Sequence, residues 1–383
     1  MFSGLFQQAF MQSNSIHLPM FFDRDAAVVG ASRQMVQQAG CTRRTNERSM
    51  MRCMQALPWQ QLLDLQMAVM EDPERMLYYH PWYDQAWIIN RLRVRPPRRM
   101  MLGTDKDEAA TFLLMRASAE PDLLQSYNAA VLIEEIPRAL EIYGFQDDYR
   151  LRREAEQLYA NEAVSYGTVR DSLYWVNQSV ELSTDSLFAG PIWVDASNAA
   201  AIAPDSVYLF EFEHLPAAYM AGSAYRPVGH ALDIEYFNGL PGIGCFFEPY
   251  EADAVDRSVA DIYGRLTANF VKFGNPTPSG SGLARWLPLR LQPSTGRIPA
   301  DYYAIDANPR MRRNYHPRAV DFWAAKVWLQ AIQQQTGAFR PQTTTADRVN
   351  VPPTPQNQWD VAASQQWWTQ RGYPCFQSTG DGC

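Results

Sequence analysis

Nowhere in the 383 residues is there an uninterrupted apolar run of the ~18 residues that a bilayer-spanning helix needs, so no membrane span is expected. The opening residues, Met1 to Phe10, have no basic stretch ahead of an apolar one and no cleavage site, so they do not read as a secretory signal. Positive charge is also in short supply. With 34 Lys and Arg against 41 Asp and Glu, the net charge is −7, which excludes a general attraction to nucleic acid. The local exception is Arg91, Arg93, Arg95, Arg98 and Arg99, which reads as a solvated helix end and loop leading into an apolar strand. Histidine and cysteine are sparse, five of each, and their spacing suggests no metal site; no metal or other cofactor is expected.

What remains is a globular composition, 46% hydrophobic and 20% charged, enough for one large domain or two small ones. Leu5 to Ser15 reads as a helix end running into a short apolar strand and a polar turn. A helical hairpin follows from about Ala26 to Met70, with Pro58 starting a helix at Trp59. Arg99 to Gly103 is expected to be a buried strand that delivers Glu108 to the top of a sheet. Residues from about Glu120 to Asp185 alternate apolar and polar residues at helical spacing, punctuated by Pro121, Pro137 and Gly144.

Val207 to Glu213 alternates like a strand, with His230 on the loop after it. A helix is expected from about Val255 to Phe273, capped by Gly274, and another from about Ala319 to Thr336. That places three strands of the main sheet. Residues 1–336 are expected to fold as one portion of a domain, and 337–383 to form a flexible Pro/Thr/Gln-rich tail carrying Cys375 and Cys383, with Trp359, Trp367 and Trp368 docking part of it.

Several motifs occur in a fixed order. They are Gln12-Ser13-Asn14-Ser15, Gly103 to Glu108, Gly229-His230 to Pro241, Asn269 to Pro276 with Trp286-Leu287-Pro288, and Phe322-Trp323. Together they resemble the carboxylesterase type B family, which includes the cholinesterases, over about Leu5 to Trp323. The resemblance implies an α/β fold: a partial α/β-hydrolase holding the C-terminal part of the central sheet with a large helical cap region. It makes His230 the general base and acid and Glu108 its orienting carboxylate, and it gives Asp233 and Glu235 the place of supporting acids near the histidine. Phe112, four residues after Glu108, resembles an aromatic of the substrate gorge; an ordinary core aromatic is the alternative.

Cys41 and Cys53 resemble the small disulfide loop of secreted members, and Asn177-Gln178-Ser179 is a glycosylation sequon, so the resemblance implies a secreted or extracellular full-length protein. Cys375 and Cys383 either close a tail loop and leave Cys245 free, or one of the three pairs elsewhere, with a missing segment or a second chain through the tail. The second large disulfide of the cholinesterases has no cysteine here near Ser197 to Ala203 or near Ala319.

One part of the family chemistry is absent: no Gly-x-Ser-x-Gly occurs in the 383 residues, and the family's serine elbow and oxyanion loop lie upstream of where this sequence starts. Ser13 and Ser15 sit where the family has a strand-end serine, not an exposed nucleophile. The implied function is a serine carboxylic ester hydrolase acting on a small ester, with this chain inactive alone. The alternative is a non-catalytic, protein-binding member of the adhesion type. The remaining histidines, His17, His80, His214 and His316, are expected to be packing or surface residues.

Overall fold

The computed structural model describes residues 7–15, 17, 25–43, 47–70, 99–161, 169–242 and 249–331. The expected tail, His80, Arg91 to Arg98, Cys245, Cys375 and Cys383 lie outside them.

The sheet is built from buried apolar runs. Strand β2 (Met100–Asp105) and strand β3 (Val207–Phe212) are buried at every position, the pattern of parallel strands covered on both faces. They pair in parallel, Met100 opposite Val207 through Asp105 opposite Phe212. Gly103 is required there, because a Cβ would collide with the backbone of Phe210. Strand β1 (Ala9–Gln12) pairs in parallel with β2 and forms one edge. Strand β4 (Tyr302–Ile305) adds in parallel to β3, and β5 (Arg310–Arg312) runs antiparallel on the far edge.

Among the described residues the sheet therefore has five strands where the sequence reading placed three. The two additional strands are four and three residues long, and β5 is a polar edge strand without alternation. The short run Tyr302-Tyr303-Ala304-Ile305, bounded by Pro299 and Pro309, was the available signal.

Around this sheet the chain forms α1 (Asp25–Gln38), α2 (Glu47–Gln55) and α3 (Trp59–Met70). The cap helices are α4 (Ala110–Ala119), α5 (Leu123–Ser126), α6 (Ala129–Glu141), α7 (Tyr149–Tyr159) and α8 (Ser172–Thr184). Asn128, Asp148 and Asp171 each accept backbone N–H groups at the starts of α6, α7 and α8, as residues of their type do. Pro137 does not punctuate. It lies inside α6, where burial of Ile136, Ala139 and Leu140 offsets the one backbone hydrogen bond that proline forfeits. The turn comes at Gly144, whose φ is +85°.

A π-helical turn, Asp185–Ala189, joins α8 to α9 (Gly190–Ile202). After β3 come α10 (Leu232–Phe237) and α11 (Ala254–Phe273). The latter opens on a reciprocal Asp253/Asp256 cap and closes on Gly274 at φ +64°. A final helix occurs where one was expected, starting two residues earlier at Pro317, but Ala319–Trp328 is wound as a π-helix, not an α-helix.

Strand alternation sorts the core into two layers. Met100, Leu102, Val207, Leu209, Tyr302 and Ala304 face α9 and the π-helix through Ile192, Ala196, Ala319 and Trp328. Met101, Tyr208, Phe210, Phe212, Tyr303 and Ile305 face α10 and α11 through Tyr236, Tyr263, Leu266 and Phe270. A third cluster unites the cap helices with Phe322 and Trp323. No helix among the described residues is long and apolar enough to cross a membrane.

Candidate active site

The site lies at the C-terminal ends of β2 and β3, where parallel sheets present their loops. Residues Lys106 to Ala109 turn directly out of β2 and place Glu108 fully buried, its Oε1 accepting the N–H of Asp105 at 2.9 Å. The loop after β3 is tied to the same turn twice. Asp107 N–H donates to Val228 O at 2.9 Å, and Val228 N–H donates to Asp107 Oδ2 at 3.0 Å. Gly229 passes so close to Thr111 that a Cβ would meet its Oγ1 at 2.5 Å. His230 N–H then donates to Glu108 O at 3.2 Å, while Thr111 Oγ1–H donates to His230 O at 3.1 Å. Ala231, at φ +71°, makes the left-handed turn that starts α10.

These ties bring Glu108 and His230, 122 positions apart in sequence, into contact: His230 Nδ1 lies 2.6 Å from Glu108 Oε2. The carboxylate is wholly enclosed and the imidazole side chain is 29% exposed. Among the described residues no group hydrogen-bonds to Nε2. Two phenylalanines flank the ring, Phe112 at 5.5 Å and Phe188 at 5.4 Å between centroids. Burial pulls the imidazole's basicity down, but the hydrogen bond and charge of Glu108, helped by Asp233, outweigh it and leave the pKa raised. The arrangement suits a base held in one tautomer, with the proton on Nδ1 and Nε2 free to accept.

Behind the pair, Asp233 is buried and its Oδ2 accepts hydrogen bonds from Gln12 Nε2 at 2.8 Å and Tyr263 OH at 2.9 Å. Burial, followed by the Glu108 charge and against the pull of Gln12 and Tyr263, leaves its pKa raised to about 6. Glu235 is also buried, but it accepts the Gly242 N–H at 2.8 Å, beyond the far end of α10. Phe112 is 40% exposed and stacks on Phe188 as well as on His230, so it borders the site and not the core.

Cys41 and Cys53 form a disulfide. Asn177 is exposed on α8, while the Ser179 hydroxyl of its sequon is buried against Glu135. Ser15 is buried, donating to Asp195 Oδ2 at 2.5 Å and accepting from His17 N–H at 2.8 Å. The other described histidines are each held by carboxylates: His17 by Asp195, His214 by Asp256, and His316 by Asp185 and Glu211. Sequence reasoning did not single out Asp105, Asp107, Phe188 or Tyr263. Asp105 and Asp107 stood inside the quoted acid motif, whereas Phe188 and Tyr263 reach the site only because helices return to the sheet.

The profile of the carboxylesterase family matches residues 1–323. That span includes every described strand and both members of the pair, and ester hydrolysis is the function at the level of this family. On that match and this fold, the chain belongs to the carboxylesterase family.

Proposed function

We propose that Glu108 and His230 are the acid and base of a serine-type carboxylic ester hydrolase acting on a small ester. The observation that carries this reading is the 2.6 Å contact at Nδ1 combined with an Nε2 that no described group occupies. In that role Nε2 takes the proton of a serine hydroxyl as its oxygen attacks the ester carbonyl. Glu108 stabilises the resulting imidazolium, and the same proton then passes to the departing alcohol. His230 touches the reacting atoms; Glu108 acts through it.

The nucleophile has no candidate in this sequence, so the 383-residue chain alone is inactive toward esters. Among the described residues β1 has no neighbour on its outer side. A strand laid parallel there would end beside Gln12, which already touches Asp233, and this is the geometry on which a serine elbow would reach His230. The disulfide and the exposed Asn177 support a secreted or extracellular full-length protein, glycosylated at that residue. The missing nucleophile motif also supports a second reading, a non-catalytic member that binds another protein.

Release of p-nitrophenol from short acyl esters tests both. The purified chain is expected to give no turnover above buffer. A version extended by a serine-elbow strand is expected to turn over, and to stop doing so with His230→Ala. Turnover by the chain alone that His230→Ala abolishes overturns the inactivity. A rescued enzyme indifferent to Glu108→Gln overturns the assignment of the acid.

A further inference from the structure

Three carboxyl groups crowd behind the imidazole, and the pair uses one. Glu108 holds Nδ1, and Asp233 is satisfied by Gln12 and Tyr263. Asp105, the last residue of β2, is fully buried, and among the described residues no side chain hydrogen-bonds to it. Its carboxyl faces the backbone N–H groups of Ala231 and Asp233, without the alignment of full hydrogen bonds. It therefore sits under the left-handed turn that follows His230 and starts α10.

The titratable groups around it are Glu108 on the acid turn, Asp233 on α10, Tyr263 on α11 and Tyr219 on the segment after β3, and His230, bound to Glu108, immediately precedes the Ala231 that Asp105 faces. Gln12 of β1 and Tyr263 add no charge at neutral pH, the His230 imidazolium is already bound to Glu108, and among the described residues no cation pairs with Asp105. An ionised carboxylate taken out of water with neither a cation nor strong donors of its own is costly, and carboxylates that share a site do not all ionise together. We propose that Asp105 keeps its proton at neutral pH and, as a neutral positioning residue under the Ala231 turn, limits the negative charge that His230 experiences and so the basicity of its ring.

The electrostatics point the same way. Burial first, then the charges of Asp233 and Glu108, hold Asp105 well above the ordinary aspartate range, against a smaller pull from the two backbone N–H groups. In alkali Asp105 ionises, a further negative charge appears beside the pair, and His230 holds its proton more tightly. The functional consequence rests on reading Glu108 and His230 as the acid–base pair; the protonation itself does not.

The test is a ¹³C-carboxyl NMR titration of the full chain with labelled aspartate, following the His230 imidazole in parallel. At neutral pH one aspartate resonance is expected at the protonated position, and Asp105→Asn removes it. His230 is expected to show a second inflection in alkali that Asp105→Asn abolishes, which loss of packing alone would not do. If Asp105→Asn does not fold, Asp233→Asn serves instead: with one carboxylate gone, the protonated signal should disappear about one pH unit lower. A spectrum in which every aspartate is ionised at neutral pH overturns the proposal, as does a protonated signal that survives Asp105→Asn or ignores Asp233→Asn. The pair is checked separately by a downfield Nδ1 proton on His230 that Glu108→Gln removes. Its absence would sink the pair and leave the carboxyl result standing.

Discussion

Among the described residues, His230 and His316 both lean on a buried carboxylate through Nδ1 and both lie beside the sheet, and their second nitrogens separate them. His230 meets Glu108 at 2.6 Å and keeps Nε2 at a partly exposed edge. His316 meets Asp185 at 2.9 Å, and its Nε2 lies 3.0 Å from Glu211 of β3, with the side chain only 10% exposed. Tyr159 extends the second cluster by donating to Asp185 Oδ2 at 2.7 Å while accepting from Trp323 Nε1–H at 2.9 Å. The His316 ring thus ties the sheet to the π-helical turn beside the cap and to the last helix. A ring with carboxylates at both nitrogens and little exposure cannot exchange protons with a substrate, whereas one held at Nδ1 alone with an exposed edge can. A histidine next to an acid is therefore no site by itself, since every described histidine here has a carboxylate neighbour.

The sharpest break in the comparison is catalytic. In a chain supplied with a serine elbow, His230→Ala should lower kcat by on the order of 10⁴-fold or more. His316→Gln should leave kcat of the folded fraction within a few-fold, and initial-rate kinetics on the two variants decide it. Equal losses in both would erase the distinction drawn between them.

Stability should reverse the order. Removing one partner of a buried ion pair leaves the other uncompensated, so His316→Ala, which strands two carboxylates, should cost about 3–5 kcal/mol in urea unfolding, and His230→Ala less, because water can enter from its partly exposed side. The pH dependence follows from the sign of the shift. Burial works against the imidazolium of His316, but Glu211 and Asp185 prevail and raise its pKa well above the ordinary value. Its contribution is then complete below about 6.5, the unfolded value, and fades only as pH rises through the higher folded value. The His316→Ala deficit should accordingly shrink in alkali.

A cross-link remote from both clusters offers a control. Reducing Cys41–Cys53 should lower unfolding stability by up to about 3 kcal/mol for a loop of this size, and leave both imidazole titrations in place. The most gradual effect concerns Asp105, whose folded pKa is raised, so the unfolded chain binds fewer protons between the two values. Stability should fall there by at most about 1.4 kcal/mol per pH unit as pH rises. Asp105→Asn should remove that slope, and its advantage over the natural chain should vanish near pH 4. Urea midpoints across the acid range read it directly.

How far the sequence could be read is clear from individual elements. Met100 to Asp105 and Val207 to Phe212 were legible because continuous apolar runs have few other destinations, and α11 because its C-terminal Gly274 is a local device. The strands Tyr302–Ile305 and Arg310–Arg312 were not, because runs so short gain their identity from the strand beside them. Pro137 within α6 and the π-helical winding of Ala319–Trp328 escaped for a related reason: packing overrides a local preference that residue type alone would report.

At the site, Glu108 and His230 could be named from their motifs, and Gln12 and Asp233 belonged to motifs as well. Their joining could not be read in this way, because no spacing along the chain encodes the 2.6 Å contact across 122 positions. Nor did any local pattern mark His316 as a clamp or Asp105 as an enclosed acid.

By itself the sequence determined the family, the α/β class, the motifs that single out Glu108 and His230, and the lack of a serine elbow within 383 residues. Those are properties of residue type and order. Tertiary structure alone decided which described histidine stays partly exposed, which acids surround it and which of them is buried without a side-chain partner. Burial and proximity set those outcomes, and both arise only when strands distant in sequence lie side by side.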